Sequence, residues 1–191
     1  MGRKIDVTIT YLEQRVRPHL PDARPPEGRF AILRAVDPPV HYYRYLYALV
    51  GDPHHWVSRK RLGDEELAAI IQHPDVRVYV LYADGVPAGF TEIDARESDD
   101  VEIKFFGLAP DFAGRGLGRY FLTHAIELAW SLGPARVRLE TCTLDHPSAL
   151  PLYQKLGFSV FDQRKGSVEL LDGDVPAPPV PTVGLDETAR S

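Results

Sequence analysis

The 191-residue chain has a single cysteine, Cys142, and a single methionine, and this scarcity argues against two classes of site. One cysteine cannot form an internal disulfide, and without a CxxC pair or a spaced Cys/His set there is no structural zinc motif. No apolar run approaches the roughly 20 residues needed to cross a bilayer, and the N-terminal segment lacks the apolar core of a signal peptide. We therefore predict no metal site, no membrane association and a cytoplasmic location.

Basic residues are fewer than acidic ones. The 22 lysines and arginines are outnumbered by 27 aspartates and glutamates, which gives a formal net charge of -5. Because nucleic-acid binding requires a basic face that neutralises phosphates, we expect no nucleic-acid partner. The hydrophobic content of 44% is ordinary for a globular protein, and the length suits one domain with a sizeable core.

Apolar periodicity and turn residues predict the order of the helices and strands. The predicted segments, in chain order, are strands 7–12 and 29–36, helices 40–51 and 63–74, a hairpin at 76–95, strand 101–108, helix 117–132, strand 135–144, helix 146–157 and a closing hairpin at 158–171. We therefore expect an α/β fold with a mixed, largely antiparallel sheet and helices on both faces. Prolines crowd the segment 173–191, so we predict one domain over 1–172 and a disordered tail after it.

A glycine-rich turn carries the clearest chemical signal. Gly114, Gly116 and Gly118 lie at alternate positions where a predicted strand ends and a helix begins. Such a turn presents unpaired backbone N–H groups at the positive end of a helix dipole, and the missing Cβ atoms let a phosphate approach. Arg115 and Arg119 add charge beside it. The turn predicts a diphosphate site; the alternative is a turn whose glycines only satisfy unusual backbone dihedrals.

Two familiar phosphate-binding motifs do not match this turn. A P-loop requires GxxxxGK followed by Ser or Thr, and the sequence contains no such string. The dinucleotide fingerprint GxGxxG would place its third glycine at Arg119, and the turn follows an antiparallel meander rather than the first strand of a βαβ unit. A dinucleotide-dependent oxidoreductase is therefore disfavoured.

The turn instead resembles the acetyl-CoA loop of the GNAT superfamily of N-acetyltransferases, written Arg or Gln, x, x, Gly, x, Gly or Ala. The matching run is AGRGLG, in which Ala113 stands where Arg or Gln is usual. EIKFFGLAP resembles the fourth strand of that superfamily, and HPSALPLYQKLGF resembles its second signature, with His146 in place of Asn. The resemblance extends from the hairpin at Asp84 to about Phe158 and implies the GNAT fold.

The resemblance implies how acetyl-CoA would bind. In this superfamily the fourth and fifth strands splay apart, and the pantetheine arm enters the gap as an extra strand. Backbone groups of Phe106, Gly107 and Leu108 would pair with the pantetheine amides, and the Leu108 N–H would polarise the thioester carbonyl. The rest of the implied cofactor-binding set is Ala113, Gly114, Arg115, Gly116, Leu117, Gly118, Arg119 and His146.

The same resemblance implies direct transfer from acetyl-CoA to an amine, without an acyl-enzyme. Glu102 matches the glutamate of the string Glu-Ile-x-Phe that carries the base in histone-type members, and it would act directly or through a water. The alternative for Glu102 is a half-exposed strand residue neutralised by Lys104. Tyr153 matches the signature tyrosine that stands beside the sulfur and would protonate the leaving thiolate; the alternative is a ring that packs under the sheet.

The acceptor implied is a primary amine of a small molecule or peptide. The acidic loop containing Glu97, Asp99 and Asp100 favours a cationic acceptor; the alternative is a loop that is only solvated. Some rings of the aromatic helix 40–51, with Trp56, are expected to line the acceptor site; the alternative is that they pack in the core. A CoA-binding sensor or scaffold without turnover is the alternative function. The oligomeric state is left open, a homodimer included.

Overall fold

The computed structural model describes residues 3–20 and 24–171, and within them the chain forms a sheet covered by helices. The strands are β1 Lys4–Gln14, β2 Phe30–Ala35, β3 Val76–Ala83, β4 Val86–Asp94, β5 Asp100–Leu108, β6 Arg136–Cys142 and β7 Ser159–Glu169. The helices are α1 Val40–Gly51, α2 Asp64–Ile71, α3 Leu117–Trp130 and α4 Ala149–Lys155. The predicted α/β fold is confirmed, whereas the predicted tail, 173–191, lies outside the described residues.

The sheet is mostly antiparallel, as predicted. Its strand order is β2-β3-β4-β5-β6-β1-β7, and the β5–β6 pair is the parallel one among the described strands. The first strand of the chain thus lies between the two strands that come last. None of the helices in the described residues is long and apolar enough to cross a membrane.

The prediction of a closing hairpin at 158–171 is wrong. This segment forms the single strand β7, which pairs with β1 over almost its whole length and contains a bulge at Phe161. The polar run Asp162–Lys165 is typical of a turn, but β7 is an edge strand whose polar side chains face solvent. The polar run was misassigned as a turn because it belongs to an edge strand, and β7 becomes an edge strand only by pairing with β1 from the other end of the chain.

Helices cover both faces of the sheet because neighbouring residues of a strand point to opposite sides. On β3, Val80 packs with α1 and α2, whereas Leu81 packs with the start of α3. The first face buries Tyr43, Leu46, Tyr47, Val50, Leu67, Ile71 and Phe90. The second face buries Leu122, Ala125, Ile126 and Ala129 of α3 against Val101, Ile103, Val137 and Leu139. The sheet therefore separates an α1/α2 side from an α3/α4 side.

Candidate active site

A cleft opens in the middle of the sheet where β5 and β6 diverge. The two strands pair only from Asp100 opposite Arg136 to Glu102 opposite Arg138, at the beginning of β5. Beyond that point lies a cavity of about 750 Å³. It is lined by the second halves of both strands, the start of α3, α4 and the α1–α2 segment, which is residues 52–63. The splayed strands expected from the family resemblance are therefore present.

A β-bulge directs β5 away from β6. Phe105 lies opposite Glu92 and Ile103 opposite Ile93, so Lys104 is an extra residue without a direct partner on β4. Bulges bend the strand that contains them and increase its twist. The resulting divergence opens the cleft just beyond the last residue pair shared with β6.

Backbone groups of β5 face the cleft after this bulge. The Ala109 N–H donates to the Ala88 carbonyl at 2.9 Å, and the Phe105 carbonyl accepts from Thr91 Oγ1 at 2.9 Å, so these two residues face β4. Because backbone groups alternate sides along a strand, those of Phe106 and Leu108 face the cleft. The cleft thus presents the free edge of a strand to any extended ligand.

The glycine turn lies at one end of the cleft. Gly114 and Gly116 have positive φ angles of 75° and 78°, and a Cβ added to either would meet nothing within 4 Å. Gly116 is the residue that precedes α3, and in the described part of the chain no side chain caps this helix start. The start of α3 therefore combines N–H groups without a side-chain cap and open space beside both glycines, as an anion site requires. The Arg115 guanidinium lies 5.3 Å from the Phe112 ring centroid.

The structure brings most of the predicted site residues to the cleft but not all. Those that line it are Phe106, Gly107, Leu108, Ala113, Gly114, Gly118, Arg119, His146 and Tyr153. Those that do not line it are Glu102, Arg115, Gly116 and Leu117. Leu117 is buried in the core beside Phe121, so its side chain packs the helix start rather than the cleft. The cofactor and catalytic roles of these residues stay predictions.

His146 organises the start of α4. The Ser148 N–H donates to its Nδ1 at 3.2 Å, and the Ser148 hydroxyl lies 2.7 Å from the same nitrogen. Because Nδ1 accepts the N–H bond, the neutral ring carries its hydrogen on Nε2. His146 therefore binds the backbone of Ser148, the residue that precedes α4, in the position where the family signature has Asn.

Glu102 is buried beside two cations. It is 6% exposed, and its carboxylate oxygens lie 3.0 Å from Lys104 Nζ and 2.9 Å from an Arg138 guanidinium nitrogen. The ion pair with Lys104 named in the alternative is present, although the residue is buried rather than half-exposed. Glu102 lies where β5 still pairs with β6, below the cleft. A catalytic role would require a water between Glu102 and the amine, and it stays a prediction.

Tyr153 lines the cleft from α4. Its ring packs edge-on to Phe106, with centroids 6.5 Å apart, and no described residue forms a hydrogen bond with its hydroxyl. Burial, and to a lesser extent the negative charge of Asp145, raise the pKa of Tyr153 well above its usual value. The phenol therefore keeps its proton throughout the neutral and moderately alkaline range. Such a group can donate to a leaving thiolate but cannot act as a resting base.

Asp145 is a cleft residue that we did not identify from the sequence. Its Oδ2 accepts from Thr141 Oγ1 at 2.6 Å and from the Cys142 N–H at 2.9 Å. Its Oδ1 accepts from Trp56 Nε1 at 3.3 Å. No sequence motif marks this aspartate. The contact that joins it to the other side of the cleft comes from Trp56, which lies 89 positions earlier in the chain.

Three aromatic rings, Tyr47, Trp56 and Phe105, form what we call the aromatic wall. The Trp56 ring centroid lies 5.6 Å from that of Tyr47 and 5.1 Å from that of Phe105, and all three residues line the cleft on the α1/α2 side. Of the helix expected to line the acceptor site, Tyr47 reaches the cleft, whereas Tyr43 is buried in the core. The wall gives this side of the cleft a largely apolar surface.

A buried ion pair supports the aromatic wall from beneath. Glu92, fully buried, accepts from Arg59 at 2.5 Å and from the Tyr43 hydroxyl, and the Arg59 guanidinium lies 5.3 Å from the Phe105 centroid. Burial and the charge of Glu92 raise the pKa of Tyr43 well above its usual value. These contacts fix Phe105 and the α1–α2 segment relative to the sheet. No motif predicted them, since they join three distant elements.

The acidic loop does not belong to this site. Glu97, Asp99 and Asp100 lie before or at the beginning of β5, and none of them lines the cleft. Asp100 forms ion pairs with Arg136 and Arg138. Burial by itself would raise the pKa of the Asp100 carboxyl, but these two cations hold the pKa below its usual range. The sequence-based reason for a cationic acceptor is therefore wrong, because the loop is at the closed end of the strand.

The comparisons with known proteins cover the same part of the chain. A family model described as the acetyltransferase (GNAT) family matches residues 35–158. An uncharacterized N-acetyltransferase of Escherichia coli is 29% identical over 132 residues, which are 68% of this chain and 77% of the relative. One of Methanocaldococcus jannaschii is 25% identical over 133 residues, 66% of this chain. The match spans 58% of that relative's length.

A solved structure supports the fold. It is the aminoglycoside N-acetyltransferase AAC(6')-Iy in complex with CoA, with a TM-score of 0.51 and 18% sequence identity. The alignment covers 71% of this chain and 91% of that one. At this level of identity the likeness concerns the fold alone.

Proposed function

The chain belongs to the GNAT family of acetyltransferases, and on that premise we propose that it transfers an acetyl group from acetyl-CoA to a primary amine of a small molecule or peptide. The observation that carries the proposal is the cleft, with the free edge of β5 along it and an uncapped helix start at one end. The named relatives support an N-acetyltransferase enzyme, the class expected from the sequence.

Acetyl-CoA fits the α3 side of the cleft. The diphosphate would bind the N–H groups of the glycine turn, and the pantetheine arm would pair with the cleft-facing backbone of Phe106 and Leu108. His146 and Arg119 also line the cleft. The CoA bound to the structural neighbour agrees with this choice of donor.

The reaction needs a donor and an acceptor of protons. The amine nitrogen attacks the thioester carbonyl carbon, the C–N bond forms, and the C–S bond breaks. The Leu108 N–H would stabilise the negative oxygen that develops. The thiolate takes a proton from the Tyr153 hydroxyl, the nitrogen gives up one proton, and Tyr153 regains its proton from solvent.

Three carboxylates lie in or next to the cleft and could receive the proton from nitrogen. Glu102, the candidate from the sequence, is below the cleft and would act through a water. Glu140 and Asp145 line the cleft itself.

Thermal unfolding with acetyl-CoA, CoA, NADH and ATP tests the donor. A ligand present at a hundredfold excess over its dissociation constant stabilises the fold by about 2.7 kcal/mol. We expect a shift with the two CoA compounds alone; a shift with NADH alone would overturn the proposal. Thiol release from acetyl-CoA with spermidine, a lysine-containing peptide and an aminoglycoside then tests turnover. CoA binding without release from any amine would favour the sensor or scaffold instead.

A further inference from the structure

We propose that Asp145 is the carboxylate that contacts the acceptor amine and takes its proton as the C–N bond forms. The inference rests on the proposed function and names a residue for it that the family signatures do not mark. It follows from the position of Asp145, its unused hydrogen-bonding capacity and the charges around it.

Asp145 lines the cleft. It belongs to the connection from β6 to α4, next to His146 and near Tyr153, whose pKa its charge helps to raise. On the opposite side it contacts Trp56 of the aromatic wall. A carboxylate in this place is close both to the proposed position of the sulfur and to the side from which an amine would arrive.

Asp145 retains room for one more donor. An ionised carboxylate offers about four lone-pair sites. The contacts from Thr141 and Cys142 occupy both sites of Oδ2, and the 3.3 Å contact from Trp56 occupies one site of Oδ1. The described residues therefore leave one site on Oδ1, and an amine N–H can fill it.

No cation neutralises Asp145 among the described residues, in contrast to the other two carboxylates considered. Glu102 is held between Lys104 and Arg138, and Glu140, the other carboxylate that lines the cleft, lies 4.0 Å from Lys104 Nζ. The contacts of Asp145 come instead from a hydroxyl, an amide and an indole. Its negative charge is therefore available to the positive charge that develops on the attacking nitrogen.

The aromatic wall strengthens this interaction. Trp56 and Phe105 border the cleft with apolar surface, and a lower local dielectric makes an attraction between unlike charges stronger than in water. Ring faces also attract a cationic nitrogen. A primary amine held between the wall and Asp145 would direct its lone pair toward the thioester while its N–H points to Oδ1.

The proton balance is complete without another reactant. Attack by the neutral amine gives a tetrahedral intermediate whose nitrogen is positively charged and readily loses a proton. Asp145 takes that proton, the C–S bond breaks, and the thiolate receives a different proton from Tyr153. Asp145 then releases its proton to solvent and Tyr153 regains one from solvent, so the products are an amide and the free thiol of CoA.

The test compares three substitutions in the full chain with acetyl-CoA and the best acceptor of the amine panel. Asp145→Asn should lower kcat by about 10²-fold to 10⁴-fold, the usual range for a lost general base. The Kd for acetyl-CoA should stay within twofold of the original. Trp56→Phe removes the indole donor but keeps the carboxylate, so it should cost less than tenfold. Asp162→Asn makes the same change on β7, outside the cleft, and should leave kcat unchanged.

The controls separate chemistry from structure. Asp145→Ser keeps a hydroxyl that can accept the Cys142 N–H, and it should lose kcat as Asp145→Asn does. Normal acetyl-CoA binding identifies either variant as folded. An Asp145→Asn variant with kcat within threefold of the original overturns the inference, as does a Trp56→Phe loss equal to that of Asp145→Asn. Lack of thiol release from the unmodified protein with every amine overturns the proposed function as well.

Discussion

Trp56 and Asp145 join the two sides of the cleft. The indole N–H of Trp56 donates to Asp145 Oδ1 at 3.3 Å, although 89 positions separate the residues. A second contact, from His54 Nδ1 to the Leu144 carbonyl at 3.3 Å, joins the same two segments. The cleft is therefore bounded by parts of the chain that are far apart in sequence.

Gly116→Val is expected to weaken the binding of acetyl-CoA. The residue has a positive φ and precedes α3, so a side chain both strains the backbone and occupies the space that a diphosphate needs. Loss of one hydrogen bond to a charged group costs about 1.5–3 kcal/mol, which corresponds to roughly 10-fold to 150-fold in Kd. Isothermal titration calorimetry with acetyl-CoA measures the change.

Gly133 provides the matched control for this substitution. It has the same φ of 78°, an added Cβ would likewise meet nothing within 4 Å, and it lies in the turn after α3, away from the cleft. Gly133→Val should cost a similar free energy of unfolding and leave the Kd unchanged. Equal Kd values for the two variants would contradict a diphosphate site at the glycine turn.

Tyr153→Phe is expected to slow thiol release by about 10²-fold, because the leaving thiolate loses its proton donor. The usual pKa of tyrosine is about 10. Because the pKa of Tyr153 is raised above that value, its hydroxyl stays protonated beyond pH 10. Tyr153 should therefore cause no decline in kcat between pH 7 and 10. Tyr79→Phe removes a hydroxyl on β3, outside the cleft, and is the control. Full activity of Tyr153→Phe would assign the ring to packing.

Glu102→Gln should lower stability more clearly than turnover. The substitution leaves Lys104 and Arg138, whose side chains are each 31% exposed, without their buried negative partner, and the loss of a hydrogen bond to a charged group costs about 1.5–3 kcal/mol. We expect a fall in the midpoint of urea unfolding and a smaller loss of kcat than for Asp145→Asn. Abolished turnover with an unchanged midpoint would return the base to Glu102.

Gly107→Ala is expected to destabilise the protein by about 1–3 kcal/mol through overpacking. An added Cβ would lie 2.4 Å from Val50 Cγ1, in the contact between β5 and α1. Val50→Ala removes the obstructing methyl groups. The double variant should therefore unfold at a higher urea concentration than the sum of the two single losses predicts. Strict additivity would show that the two residues do not compete for this space.

The parts of the fold that sequence patterns predicted are the local ones. The α1 residues that recur at helical spacing, the Asp84–Gly85 turn between β3 and β4, and the glycines before α3 each carry their signal within a few residues. The family signatures then ordered β5, α3, β6 and α4 correctly. These signals predict structure correctly because the backbone conformation of each segment depends mainly on residues within that segment.

The parts that were missed depend on distant partners. The contact of Asp145 with Trp56 and the burial of Glu92 beneath Arg59 and Tyr43 require the folded sheet to bring separate elements together. The acidic loop was misplaced for a related reason, since charge composition does not reveal which end of β5 it borders. The side-chain contacts of this site are therefore harder to predict from the sequence than the backbone conformation of a single segment.

The position of β1 has a consequence for biosynthesis. Val7 and Ile9 line the cleft, yet β1 finds its two neighbours only in β6 and β7, more than a hundred residues later in translation. Pairing over such separations is slow compared with local helix formation. The ribosome must therefore synthesise the chain through β7 before β1 can pair with both of its neighbours. Until then the nascent chain lacks the part of the cleft that β1 contributes.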